Sequence, residues 1–319
     1  MNLATAGSPV AAITARFSLA PLDVPLLVEV RRPRHASAVA AACGGWDGSP
    51  PPPARAIHLR VSESSRQAGT GDAKISVAGA IMEIRGPGVV ARAHLDRRAA
   101  VCSISREYLA APDRLRDEVL EPLILMLLTQ QDRTPIHASG FVVEDLAILL
   151  AGRSGAGKSC LAKAADAAGF QLLSDDTVYV QRLPSLRVWG WPAAAHLLPR
   201  DAGGDNWPTR IRNGRMKHVV PLRSASAMAV SCRRAVLCVL ARGERVALTP
   251  ISAGEALNRL WPLDPGYHLL PGPTQAAVRT LASHGAWELR LSDDPAEAIG
   301  LVTSSLPQLA EPGRLLRRN

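Results

Sequence analysis

Lysine is nearly absent. Of 37 basic residues only Lys74, Lys158, Lys163 and Lys217 are lysines, set against 28 acidic residues. The formal charge of +9 therefore rests on arginines dispersed along the chain, without the clustered patch that a nucleic-acid interface requires. Cysteine is sparse too: Cys43, Cys102, Cys160, Cys232 and Cys238 show no C-x-x-C spacing, which argues against a zinc knuckle or a disulfide scaffold and fits a reducing cytosol. Long apolar runs are missing. The longest, residues 120–128 and 146–151, are too short to span a bilayer, so no membrane partner is expected. The N-terminus, MNLATAGSPVAAITARFSLA, lacks the basic region and apolar run of a secretory signal. What is present is ordinary for a globular protein: 47% hydrophobic and 20% charged residues, which excludes wholesale disorder, collagen and coiled coil. A cytoplasmic protein is expected.

The 319 residues suffice for two domains. Residues 1–115 read as an N-terminal α+β region with no catalytic cluster and no evident role. A Gly/Pro-rich connector at 44–54 is followed by expected strands at 57–61, 75–84, 89–95 and 99–104, with Gly86-Pro87-Gly88 as a turn. From 112 to 130, Leu115, Val119, Leu120, Leu123, Leu127 and Leu128 recur at helical spacing, with Asp113 as the expected N-cap. Residues 116–319 read as an α/β catalytic domain. Two short apolar strands, 141–143 and 146–151, meet at Glu144-Asp145, and the second is continuous enough to be buried on both faces. A glycine-rich turn follows, then an alanine-rich helix over 158–168 that ends at Gly169, then strands at 171–173 and 177–180. Beyond residue 184 prolines punctuate loops and short strands, with further strands at 235–241 and 245–248, a helix at 253–259 and a basic tail at 313–319. There is no internal repeat.

The chemistry concentrates between residues 137 and 176. Gly152-Arg153-Ser154-Gly155-Ala156-Gly157-Lys158-Ser159 satisfies G-x-x-x-x-G-K-[ST] in full, with an apolar strand before it and a helix after it. Glycines let successive backbone N–H groups curl around phosphate oxygens, and the helix turns its positive end towards the same anion. Lys158 reaches the β/γ-phosphates in such a loop, and the Ser159 hydroxyl ligates Mg²⁺. Asp175 and Asp176 begin 17 residues after Lys158. The strand that follows a crossover helix is expected beside the loop's own strand in a parallel sheet, which brings its carboxyl end to the same crevice. Two carboxylates there divide proton acceptance from metal binding; alone, an Asp pair equally marks a strand-to-turn boundary. His137 stands 15 residues before Gly152, at the mouth of the preceding strand.

His137-Ala-Ser-Gly, the Gly152–Ser159 loop and Gly169-Phe-Gln-Leu-Leu-Ser-Asp175-Asp176 together resemble the catalytic domain of the HPr kinase/phosphorylase family, and more closely its shorter HPr-serine-kinase-like bacterial relatives. The resemblance covers about 45 residues, 136–180, and keeps the family's spacing from His to loop to Asp pair. It implies a P-loop kinase-like catalytic domain, ATP or another nucleoside triphosphate and Mg²⁺ as cofactors, and transfer to a serine hydroxyl of a small protein or peptide. On the same basis Asp175 is the general base, Asp176 joins Ser159 at the metal, His137 lines the site, and the protein is a homo-oligomer. Two departures stand out. Cys160 follows the loop serine where the bifunctional enzymes carry Glu. Their downstream Glu-x-Arg-Gly-x-Gly segment is missing, since Glu83-Ile-Arg-Gly-Pro-Gly88 lies upstream and reads as strand and turn. Phosphorylase action and HPr itself as substrate are both put in doubt. Similar small kinases in bacterial peptide gene clusters, lasso-peptide clusters included, phosphorylate a precursor peptide, which is the alternative acceptor.

Further cations follow the Asp pair in Arg212-Asn-Gly-Arg215-Met-Lys217-His218. Arg215 and Lys217 are the candidates for phosphate or substrate contact there; a solvated basic hairpin is the plain reading of the same string. Trp189, Trp191 and Trp207 could stack a base or grip a peptide, or serve as loop anchors. A nucleotide-binding ATPase or switch module is the competing function. No L-S-G-G-Q-like helix start and no N-K-x-D string is present, which disfavours an ABC ATPase and a switch GTPase.

Overall fold

The computed structural model describes residues 14–44, 46, 56–65, 73–192, 194–203, 206–212, 215–226, 228–260 and 269–310. The N-terminal segment 1–13, all of the 44–54 connector but Gly44 and Trp46, and the basic tail lie outside the described residues. The fold is mixed α/β with several sheets. It divides into two compact units, Met1–Gln130 and Gln131–Asn319. The helical segment from residue 112 thus belongs with the first unit instead of opening the second.

The first unit is one seven-stranded sheet. Its strands are β1 (Ala15–Leu19), β2 (Leu26–Val30), β3 (Ile57–Glu63), β4 (Lys74–Ala78), β5 (Ile81–Gly86), β6 (Val89–His94) and β7 (Ala99–Ile104), in the order β1-β2-β3-β7-β6-β5-β4. A short helix, α1 (Ala36–Ala42), links β2 to β3. β2, β3 and β7 run parallel and the other pairings are antiparallel. Burial alternates with the pleat: Ile57, Leu59 and Val61 are buried while His58 and Arg60 are exposed, the pattern of a sheet with one covered face. The expected strand 75–84 is in fact two strands, because Gly79 and Ala80 turn the chain back on itself. Glu83-Ile-Arg-Gly does lie in a strand, β5, with Pro87-Gly88 as the following turn.

The helical run comprises α2 (Arg106–Leu109), α3 (Pro112–Leu115), a π-helical turn (Arg116–Leu120) and α4 (Glu121–Thr129). Leu115, Val119, Leu120, Leu123, Leu127 and Leu128 are all buried, as their spacing predicts. Asp113 does not cap it. Ala111 occupies the N-cap and Pro112 the first helical position, which suits proline because its missing N–H is one that has no partner there.

The second unit places its strands in three sheets. β8 (Thr134–Ile136), β9 (Ala138–Val143) and β10 (Leu146–Ala151) precede α5 (Lys158–Ala167). Next come β11 (Gln171–Ser174), β12 (Val178–Gln181), β13 (Arg187–Gly190), β14 (Ala194–Leu197), α6 (Pro199–Ala202), β15 (Thr209–Arg212), β16 (Arg215–Pro221) and β17 (Val230–Cys232). The last elements are β18 (Arg234–Arg242), β19 (Ala247–Pro250), α7 (Ala253–Leu260), α8 (Pro271–Ser283), β20 (Ala286–Leu291), α9 (Pro295–Ser304) and α10 (Leu306–Ala310). The central sheet has the order β11-β9-β10-β18-β20-β19, beside a four-stranded sheet β17-β13-β12-β8 and a three-stranded sheet β14-β16-β15. All six residues of β10 are buried. Ile148 and Leu150 enter one core with Leu161 of α5 and Val302 of α9, while Ala147, Leu149 and Ala151 enter the opposite core with Val278 and Leu281 of α8. Two covered faces explain the unbroken apolar run.

The expectation that the strand after α5 lies beside β10 in a parallel sheet is corrected. β9 separates them and is antiparallel to both. The tight turn at Glu144-Asp145 folds β9 onto β10 as a hairpin, so that edge of β10 is taken before α5 ends. No described helix is long and apolar enough to cross a membrane.

Candidate functional site

The β9–β10 hairpin is what assembles the site. With β9 reversed between them, β10 and β11 point the same way, and their carboxyl ends share an edge with the start of β9. The register puts Ala151 opposite Ala138, and Ser174 opposite Gly140. The residues one step beyond are Gly152, His137 and Asp175. Three segments far apart in sequence therefore deliver their polar residues to one edge, at the carboxyl end of β10 where α/β sheets place ligands.

Between β10 and α5 the Gly152–Ser159 loop closes on itself. Ala156 N–H donates to Arg153 O at 3.0 Å, and Leu161 N–H to Gly157 O at 2.9 Å. Gly157 is the N-cap of α5 with φ +111, a conformation that L-residues avoid. A Cβ there would also meet Leu291 Cδ1 at 3.2 Å. Arg153, Ser154 and Gly155 are exposed, while Lys158 is buried. Its Nζ arches back over the loop to Gly152 O at 2.7 Å and Arg153 O at 3.2 Å. Ser139 Oγ on β9 donates to Lys158 O at 3.2 Å, tying the start of α5 to the hairpin.

The Asp pair follows β11. Ser174 Oγ accepts from the N–H groups of Asp176 and Thr177 at 3.3 and 3.2 Å, a side-chain turn that separates the two carboxylates into different settings. Asp175 is buried, and its Oδ2 accepts from His196 N–H at 2.8 Å. The His196 ring is itself largely buried. Its Nδ1 lies 3.4 Å from the same oxygen and has no hydrogen-bond partner among the described residues. Asp176 is more open, with its Oδ1 3.4 Å from His137 Nδ1. One carboxylate is held and desolvated; the other faces solvent beside an imidazole.

The remaining sequence candidates divide. Lys217 pairs with Arg210 across the β15–β16 hairpin, and His196 pairs with Val219, so strand alternation sets Lys217 and His196 on one sheet face. Arg215 opens β16, and its side chain lies outside the described residues, as do residues 213 and 214. Cys160 packs against the core that holds Leu161. Burial first, and then the nearby Asp201 carboxylate, push its thiol pKa up, so it stays a neutral thiol. Trp189 is buried, donates to Gln181 Oε1 at 3.2 Å and is flanked by the guanidiniums of Arg133 and Arg187. Trp191 meets Tyr179 edge-on at 5.2 Å, and Trp207 packs on the core. All three make packing or hydrogen-bond contacts within the second unit.

Two residues escape sequence reasoning. His196 has no local signal, because its contact with Asp175 depends on how β14 docks beside α5. Arg242 ends β18, the parallel neighbour of β10, and its guanidinium stands 3.5 Å from where a Gly157 Cβ would sit. A cation closing an apolar strand was the available hint. Among the described residues no group of three or more His, Cys, Asp or Glu could hold a metal ion alone. Ser159 and Asp176 offer a hydroxyl and a carboxylate, a donor set that suits Mg²⁺ when phosphate oxygens and water complete its shell.

Gly190 supports the Asp pair from behind. A Cβ there would fall 2.3 Å from Leu173 O, a backbone atom two residues before Asp175. Gly190→Ala is expected to destabilise the protein by about 1–3 kcal/mol, as overpacking does, and to shift the end of β11. Thermal unfolding checks this; a variant as stable as the wild type would refute the close approach.

No protein-family model matches the chain, and no curated protein sequence matches it. Among solved structures it is similar to the Hpr(Ser) kinase/phosphatase from Coxiella burnetii, at 12% identity and a TM-score of 0.29, over 59% of this chain and 100% of that one.

Proposed function

We propose that this chain is an ATP- and Mg²⁺-dependent serine kinase of the cytoplasm, forming a homo-oligomer and acting on a small protein or peptide. The observation that carries the reading is the shared edge: a glycine-rich loop before a helix, a buried Asp and an open Asp–His pair meet there through the register of β9, β10 and β11.

In this reading the loop's N–H groups, from Gly152 to Cys160, cradle the phosphates. Lys158 swings from the loop carbonyls to the β/γ-phosphate oxygens. Asp175 accepts the serine proton as the serine oxygen bonds to the γ-phosphorus and the bond from that phosphorus to the bridging oxygen breaks, releasing ADP. His196 N–H fixes one oxygen of Asp175 and leaves the other for the substrate. Arg242 and Lys217 supply positive charge near the transferring group. Ser159 and Asp176 would hold Mg²⁺, which when bound neutralises phosphate charge. His137 orients Asp176.

ADP release with and without a serine-bearing acceptor tests the reading. Turnover that rises with acceptor and deposits one phosphate per ADP is expected. Turnover indifferent to every acceptor would favour an ATPase or switch module instead.

A further inference from the structure

The N-terminal unit carries a charged cluster of its own. β2, β3 and β7 are parallel, and open sheets of parallel strands receive ligands beyond their carboxyl ends. At that edge β2 runs into Arg32, Arg34 and His35, β3 ends at Glu63, and β7 leads through Ser105 to Arg106. Glu63 is the hub, with a side chain 8% exposed. Its Oε2 takes Arg32, takes Arg34 Nη2 at 3.1 Å and lies 3.3 Å from His35 Nε2; its Oε1 takes Arg106 Nε at 2.9 Å. The hydrogen bond from Arg106 leads in holding the Glu63 carboxyl down to about 2, against the opposing effect of burial.

The side chains of Arg32, Arg34 and Arg106 remain 56%, 56% and 74% exposed. Around Glu63 three guanidiniums meet one carboxylate, a formal excess of two positive charges on these four side chains. Arg106 spends only its Nε, so its terminal nitrogens make no hydrogen bond among the described residues. The neighbouring Ser105 Oγ is buried with no hydrogen-bond partner among the described residues. Two excess charges on planar, preoriented forks match a phosphate monoester, which carries about −1.5 to −2 at neutral pH, better than a carboxylate. We propose that the carboxyl edge of β2, β3 and β7 binds a dianionic phosphate group through Arg32, Arg34 and Arg106.

The test is calorimetric titration of the full chain carrying Lys158→Met, which removes the glycine-rich loop as a competing phosphate site. The probes are a phosphoserine peptide, the same peptide with serine, and inorganic phosphate. The phosphopeptide is expected to bind at least about tenfold tighter than its serine twin, as loss of charge-assisted bonds implies. Inorganic phosphate in excess is expected to displace it. Arg34→Ala/Arg106→Ala should abolish that preference in a chain that still folds by circular dichroism, with a lowered melting temperature because Glu63 loses two of its partners. Arg16→Ala/Arg60→Ala removes the same charge from the pair of arginines that bind Glu29 and should change nothing. Equal binding of both peptides, failure of phosphate to compete, or an equal loss in the Arg16/Arg60 variant would each overturn the proposal.

Discussion

Asp175→Asn is expected to lower phosphate transfer by about 10²–10⁴-fold, the contribution of a positioned general base, while nucleotide binding is unchanged. Asparagine keeps the shape, and its carbonyl oxygen can still accept the His196 N–H that Asp175 Oδ2 now accepts at 2.8 Å. Folding therefore survives. What disappears is basicity at the one carboxylate of the pair that is both buried and fixed. Transfer measured in a single turnover, beside nucleotide titration of the same variant, separates the two effects. A variant that transfers at the wild-type rate would remove Asp175 from the mechanism.

Lys158→Met is expected to fail at both steps, losing nucleotide affinity and lowering transfer by about 10²–10³-fold, as removal of one preorganised donor does. Methionine preserves the apolar stem that buries the side chain at 6% exposure and removes only the ammonium. That ammonium now donates to Gly152 O and Arg153 O, so it is poised over the loop instead of lying in solvent. Loop shape depends chiefly on backbone bonds such as Ala156 N to Arg153 O, and these remain. Unchanged nucleotide affinity in this variant would mean the loop does not receive phosphate. The pair of variants thus distinguishes binding from chemistry.

The loop and its flanking elements are legible in the sequence because they are local. A continuous apolar run means a strand covered on both faces, and β10 has both. An alanine-rich stretch ending at glycine means a short helix, and α5 ends there. The spacing of leucines over 112–130 likewise predicts the buried helical face, though not the π-turn within it or the proline that displaces Asp113 from the cap.

What is not legible depends on strand order. Helix-then-strand spacing suggests a parallel neighbour for β10, yet the β9 hairpin claims that edge first, and spacing alone does not reveal competition for an edge. β19 precedes β20 in the chain but lies outside it in the sheet, antiparallel to it. The site inherits the same asymmetry. Gly152, His137 and Asp175 can be chosen from motifs, whereas His196 reaches Asp175 only through the docking of β14, in a different sheet. The Glu63 cluster joins residues 31 and 43 positions apart and has no motif at all.

The most direct test of the central claim is to incubate the protein with γ-labelled ATP, Mg²⁺ and serine-bearing acceptor peptides and to map the labelled residue by mass spectrometry. Phosphoserine on the acceptor, formed by the wild type and not by Asp175→Asn, is the predicted result. Label released only as inorganic phosphate, or an equal yield of phosphoserine from Asp175→Asn, would contradict it.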